Sequence, residues 1–258
     1  MRLVAALLAC LAATPAIPAG APITKEAMVA MLKTLDERQR NQGDWKALIY
    51  MEQKERDKAD VAYECLVFRR DKDEKFMILF TKPKAESGKG YLRMDKNLWM
   101  YDPTVGKWER RTERERIGGT DSRREDLDES RLAVEYEPAD KGEEKLGVFT
   151  VRHLALTAKP GIDVAYPVIE LWIDVASGNT LKRQDFALSG RLMRTAYYPK
   201  WQKIFSESKG SDVWYPMEMR FYDEVDKANS TILLMKAVDL KPLEANIFTK
   251  AWLESKSR

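Results

Sequence analysis

Between residues 45 and 241 the chain is a succession of strand-length apolar segments broken by turn residues. WKALIYMEQKER (45–56), VAYECLVFRR (61–70) and EKFMILFTKP (74–83) follow one another closely, then GYLRMD (90–95), NLWMYDP (97–103) and KWERRTE (107–113). Strand signals resume at 147–158, 167–175, 180–188, 190–199, 213–224 and 230–241. Connectors this short suit an antiparallel meander. About eleven strands with few helices predict one mainly β sheet or barrel. The clearest helix is 24–42, where Thr24 can cap and Met28, Val29, Met31, Leu32 and Leu35 form an apolar stripe. A shorter amphipathic helix is predicted at 246–256, and another within 123–132.

An antiparallel sheet with one wet face alternates apolar and polar residues. FMILF (76–80) and ILLM (232–235) are instead apolar at every position, and CLVF (65–68) nearly so. Both faces of these strands must therefore be covered, by helices or by an apolar cavity. With one good helix available, a cavity is as strong an expectation as helix cover.

Residues 1–21, MRLVAALLACLAATPAIPAGA, combine Arg2, a short apolar run and small residues, the parts of a secretory signal peptide. The run is about half of the ~20 residues that span a bilayer. Leu7-Leu8-Ala9-Cys10 resembles a lipobox, so a lipid anchor through Cys10 is the alternative to plain export. Residues 22–258 read as a single unit, with no repeat and no linker.

Function classes narrow by what the chain lacks. Lys+Arg 44 against Asp+Glu 41 gives a formal charge of +3, too balanced for a dedicated nucleic-acid groove. One histidine, His153, and two cysteines, Cys10 and Cys65, leave no metal-ligand pattern and no disulfide framework. Nucleophile-elbow, Walker and dinucleotide glycine motifs are absent. His153 in VRHLAL and Cys65 in AYECLVF read as structural residues. The carboxylates Glu125-Asp126 and Asp128-Glu129 could serve acid–base hydrolysis, but matching arginines beside them favour a solvated charged face. Segment 107–131 holds eight basic and eight acidic residues. With Gly118-Gly119 inside it, 114–131 is expected to be the loosest part of the protein, a flap or docking loop.

Residues 90–129, GYLRMDKNLWMYDPTVGKWERRTERERIGGTDSRREDLDE, carry the most specific pattern. Gly90 and Arg93 enter a strand, Asn97-Leu98-Trp99, Tyr101 and Pro103 follow, and then come Gly119-Thr120-Asp121 and Glu125-Asp126-Leu127. This resembles the outer-membrane lipoprotein-sorting protein family, the LolA-like periplasmic carriers. Ser122, Arg123 and Arg124 stand where that family often has aromatic residues. Ile247-Phe248-Thr249 before Trp252-Leu253 is similar to the family's ending.

The resemblance implies a half-open antiparallel β-barrel, LolA/LolB-like, with an N-terminal helix and short lid helices around an apolar cavity. It implies a periplasmic carrier that shields acyl chains of lipoproteins or other lipids on the way to the outer membrane. An inner-membrane transporter and an outer-membrane acceptor are the implied protein partners. No catalytic residue, metal or cofactor is called for, nor nucleic acid, and a monomer is expected. Candidate cavity-lining residues are Met28, Met31 and Leu32 on the first helix and Phe76, Ile78 and Phe80 on a strand. Trp99 and Tyr101, which share one strand face, are expected at the rim, although packing across the hairpin against Trp108 would also explain them. The alternative function is a non-carrying interaction module of the same fold, such as an envelope-stress sensor or a transporter's accessory subunit.

Overall fold

The computed structural model describes residues 20–94, 97–112 and 116–257. Cys10 and most of the expected export signal lie outside the described residues. Helix α1 (Lys25–Gln39) precedes a first meander: β1 (Asp44–Lys54), β2 (Val61–Arg70), β3 (Lys75–Lys82), β4 (Gly90–Met94), β5 (Asn97–Asp102) and β6 (Lys107–Arg111). A crossing segment ends in the one-turn helix α2 (Leu132–Glu135). The second meander runs through β7 (Tyr136–Leu146), β8 (Phe149–Ala158), β9 (Val168–Asp174), β10 (Thr180–Phe186), β11 (Leu192–Ser206), β12 (Ser211–Asp223) and β13 (Ser230–Asp239). Helix α3 (Lys250–Lys256) closes the chain.

All thirteen strands form one open sheet in the order β6-β5-β4-β3-β2-β1-β13-β12-β11-β10-β9-β8-β7. The two meanders meet where β13 pairs antiparallel with β1, in a register that sets Met51 opposite Leu233 and Ile49 opposite Met235. The crossing segment therefore leaves one edge of the sheet and enters the other. Strand β7, YEPADKGEEKL, had no legible strand signal. It is an edge strand, and charge is what keeps an exposed edge from pairing with other chains. Pro138 is tolerated there because β7 has a neighbour only in β8.

The apolar runs divide cleanly between the two faces. Phe76, Ile78 and Phe80 point inward with Val67, Ile49, Leu233 and Phe221. Met77 points outward with Phe68 and Leu92, beneath Ile247, Phe248 and Leu253 of the C-terminal segment. That segment is the cover on the second face. Trp252 meets Phe68 edge-on at 5.4 Å, and Trp108 donates to Glu254 at 2.6 Å. Helix α1 lies on the inner face, as its stripe predicts. Thr24 caps it by accepting from Ala27 N at 3.2 Å, and Met28, Leu32 and Leu35 are buried against Leu154, Leu156, Ile169 and Leu171.

Gly90 marks the closest approach of the sheet to its outer cover. A Cβ there would stand 2.6 Å from the Ile78 carbonyl oxygen and 2.7 Å from a Leu253 methyl. Gly90→Ala is expected to destabilise the fold by about 1–3 kcal/mol, read as a lowered urea midpoint. An unchanged midpoint would show that α3 can draw back from β4 without loss.

Candidate functional site

The inner face is apolar at its ends and charged at its centre. Arg69 of β2, Arg93 of β4, Arg183 of β10 and Arg194 of β11 all turn inward toward residues 116–131 of the crossing segment, which lies over them as a strap. Arg194 Nη1 donates to Asp126 Oδ2 at 2.6 Å and to the Asp121 carbonyl at 3.2 Å, while its Nε donates to Asp185 Oδ2 at 2.7 Å. Arg183 donates to Asp185 at 2.5 Å and to Glu125 at 2.9 Å. Arg69 donates to the Asp128 carbonyl at 3.1 Å, and Arg93 and Arg124 both pair with the Asp128 carboxylate. Arg116 links Asp121, at 2.9 Å, to Asp223 of β12, at 2.7 Å.

These pairs fix the curvature of the sheet. Strands β4 and β11 stand six places apart, about 29 Å in a flat sheet. Arg93 and Arg194 nevertheless grip carboxylates two residues apart. Only a strongly curled sheet brings both within reach.

The strap is thus not the solvated flap that its composition predicts. Ile117, Leu127, Thr120, Asp121 and Ser122 are buried, and Ile117 and Leu127 belong to the same core as Phe76 and Phe80. Gly118 and Gly119 make a tight turn at φ +59° and +80°, closed by Ile117 N donating to the Ser122 carbonyl at 2.9 Å. The carboxylates that read as a wet face sit opposite the buried arginines, because a charge inside the barrel is tolerated only when paired.

The residues expected to line one cavity fall into three groups. Met28 and Leu32, with Met31 at the margin, pack on β8 and β9. Phe76, Ile78 and Phe80 pack under the strap, and Phe80 also borders a cavity of about 300 Å³ with Tyr91, Met100 and Gly118. Trp99 and Tyr101 lie on the opposite face of the sheet and cannot border the same site. Tyr101 stacks on Trp108 at 5.1 Å, and the Lys250 ammonium stands 4.6 Å from the Trp99 ring. His153 is held structurally, stacked on Trp172 at 4.2 Å and 3.0 Å from Glu170. Cys65 is buried in the core, and burial pushes its thiol up. Among the described residues no group of three or more His, Cys, Asp or Glu is placed to hold a metal ion.

Room for an apolar ligand lies elsewhere. Strands β12 and β13 pair only from Glu218↔Leu234 to Tyr222↔Ser230, whereas β11–β12 continues to Ser206↔Ser211 and β1–β13 to Lys46↔Asp239. Below Glu218 the sheet splits. Pro216, lacking an N–H, sits just beyond the split, where β12 has no partner on that side. The freed β11–β12 arm bends onto the end of α1: Ser206 Oγ donates to Asn41 at 2.6 Å and Lys209 Nζ to the Arg40 carbonyl at 2.9 Å. The resulting seam encloses about 840 Å³ between Ile204 and Phe205 on the arm and Val238, Leu240, Pro242 and Leu243 on the other side. Asp44, Arg70, Lys72 and Lys241 supply a polar rim of both signs. By contrast, the central cavity under the strap, lined by Arg124, Glu125 and Asp128, holds about 110 Å³. Ligand pockets typically run ~300–1,000 Å³; the Phe80 cavity stands at the bottom of that range and the seam well inside it, so the seam is the candidate site. No apolar run announces it, since its two walls are ordinary strand residues more than thirty positions apart.

A family model described as "Uncharacterized protein" matches residues 72–255. The chain belongs to that family. Its fold is LolA-like. It is similar to a domain described as an outer membrane lipoprotein-sorting protein domain from Vibrio parahaemolyticus, at 19% identity and TM-score 0.76, over 90% of this chain and 100% of that one. It is similar to a LolA superfamily protein from Nitrosomonas europaea, at 22% identity and TM-score 0.73, over 89% and 99%. A DUF1329 family protein from Desulfovibrio piger superposes at 19% identity and TM-score 0.77, over 89% and 98%. No curated protein matches the sequence. Of the residues that carry the resemblance, Arg93, Asp121, Glu125, Asp126 and Leu127 dock the strap, whereas Trp99 and Tyr101 lie on the other face of the sheet.

The strap leaves a signature in pH. Burial pushes the carboxyls of Asp36, Asp121, Glu129 and Glu135 above the ordinary range. Against the same burial, Arg183 and Arg194 hold Asp185 below it, as Arg70 holds Asp44. The raised groups bind protons more tightly in the native state, so their effect favours folding at lower pH and is lost as pH rises through their native values. The depressed groups contribute stability above the unfolded carboxylate value of about 4, lost as pH falls through their native values. Stability is therefore expected to peak on the acid side of neutrality and collapse below about pH 4, as measured by melting temperature against pH. Asp126→Ala, which removes the bidentate carboxylate partner of buried Arg194 and leaves it Asp185, is expected to cost about 3 kcal/mol. A flat pH profile together with a small Asp126→Ala loss in urea unfolding would show that the strap does not hold the fold.

Proposed function

We propose that the protein is an exported binder of acyl chains, a periplasmic carrier of lipoproteins or other lipids toward the outer membrane, with the β12–β13 seam as its site. The seam carries this reading: about 840 Å³ walled by Ile204, Phe205, Val238 and Leu240, open at one end and polar at its rim. Burial of a chain there is favoured by about 0.8 kcal/mol per methylene, without covalent chemistry. The export signal read at 1–21 and the single unit at 22–258 belong to the same proposal, as do an inner-membrane donor and an outer-membrane acceptor. Support comes from the fold, which is shared with a domain whose description names lipoprotein sorting. Among the described residues no helix is long and apolar enough to cross a membrane. The filled inner face supports a second reading, a non-carrying interaction module, because Ile117 and Leu127 occupy space that cargo would need.

A fluorescent fatty-acyl probe separates the two. Val238→Trp and Leu240→Trp, which fill the seam, are expected to weaken probe binding at least tenfold with unfolding midpoints close to the parent's. Absence of probe binding to the parent protein, with no lipid detected by mass spectrometry after purification from the periplasm, would favour the interaction module.

A further inference from the structure

The seam opens at one end of the sheet, and that end presents apolar side chains to solvent. Val148 and Phe149, at the β7–β8 turn, are 87% and 47% exposed, Val175 after β9 is 54% exposed, and Phe205 near the β11–β12 turn is 63% exposed. Backbone and side-chain bonds bring these three turns together. Val175 N donates to the Thr150 carbonyl at 2.9 Å, joining the first two. Arg38, in the last turn of α1, donates to the Ser177 and Gly178 carbonyls at 3.0 and 2.7 Å. Lys209, in the third turn, donates to the Arg40 carbonyl just beyond α1. The end of α1 thus gathers the tips around the mouth that Phe205 shares with the seam. Exposed aliphatic residues occur at the other end as well, Leu188 and Val225 among them, but both exposed phenylalanines are here.

We propose that this end of the molecule docks on the surface of a lipid bilayer, with Val148, Phe149, Val175 and Phe205 entering the headgroup–acyl boundary. The shape favours a bilayer over a folded partner. The residues are spread over three separate turns with the polar Ser177, Glu207 and Ser208 among them, unlike the apolar centre that a protein interface buries. Apolar prongs of this sort suit the fluid interface, which closes around each one. Charges of both signs stand at this end: Lys72, Lys145, Lys203 and Lys241 with Glu207 and Asp212, Arg70 paired with Asp44 at 2.5 Å and Lys203 with Asp212 at 3.4 Å, so insertion rather than a single-sign field is the driving contribution. Docking by insertion therefore needs no anionic lipid and resists salt. Its value to an acyl binder is geometric, since the seam mouth then faces the membrane and a chain crosses between them without meeting water. The proposal extends the seam reading but is tested apart from it.

Flotation of the protein with phosphatidylcholine vesicles measures the docking. The parent is expected to float with the vesicles at low and at physiological salt, and Phe149→Ser to lower the partition coefficient about tenfold. Phe149 does not line the seam, so acyl-probe affinity should be unchanged in that variant. Leu188→Ser, an 87% exposed residue at the opposite end, is expected to float like the parent. A parent protein that stays in the aqueous phase overturns the proposal. So does equal loss in Leu188→Ser and Phe149→Ser, or a dimer of the parent that Phe149→Ser disperses, which would make this end a protein contact. Failure of the probe to bind, with flotation intact, overturns the seam reading and leaves the docking standing.

Discussion

Four arginines on the inner face of a curled sheet must be paired, and everything else in this structure is arranged around that requirement. Arg69, Arg93, Arg183 and Arg194 are largely or wholly removed from water, and each meets strap oxygens. An unpaired charge in that position costs several kcal/mol, so the sheet, the strap and the pairing stand or fall together. The strap is also the covalent link between the first and second meanders. Placing it inside the curl lets one segment join the two sheet edges, fill the concave face with Ile117 and Leu127, and neutralise the buried guanidinium groups.

Occupying the interior in this way moves the free volume outward. The sheet has thirteen strands and twelve ladders, and the β12–β13 ladder is cut short because the lower half of β12 stays with β11 instead of following β13. The arm is stabilised by contacts of its own, Ser206 and Ser208 on Asn41 and Lys209 on the last carbonyls of α1. The seam is what remains between β13, committed to the core, and the end of β11 with its turn, drawn onto α1.

Much of this was legible in the residues and some was not, for identifiable reasons. The stripe Met28, Leu32, Leu35 and the cap Thr24 defined α1 because local spacing decides a helix. The double-sided run FMILF required a second cover, and the C-terminal Phe248 and Leu253 supply it. Trp99 and Tyr101 were placed correctly on one strand face, but periodicity cannot say whether that face is the inner or the outer one. Strand β7 escaped notice because an edge strand is charged by necessity. The strap escaped for the opposite reason: Arg, Asp and Glu in sequence look solvated, and only the sheet, with Arg93, Arg183 and Arg194 from distant strands, reveals that Glu125, Asp126 and Asp128 have buried partners. Its motif, Gly119-Thr120-Asp121 with Glu125-Asp126-Leu127, was visible while its physical role was not.

The two walls of the seam differ in what their displacement would break. The β13 wall pairs with β1 down to Lys46↔Asp239 and carries Leu233 and Met235 in the core, so moving it would open the barrel. The arm wall, Ile204 and Phe205 at the end of β11, pairs only with the start of β12, and that ladder already shifts register around Lys200, next to Pro199 and opposite Glu218. Swinging the whole arm would break the buried Ser206–Asn41 bond and pull Val213 and Tyr215 of β12 out of the main core, where Tyr215 packs on Trp45 at 5.8 Å. The point at which β12 leaves β13 thus opens the sheet without releasing β12 from the core, and the yielding part of the seam is confined to the exposed Phe205 and the turn behind it, where Lys209 holds the Arg40 carbonyl.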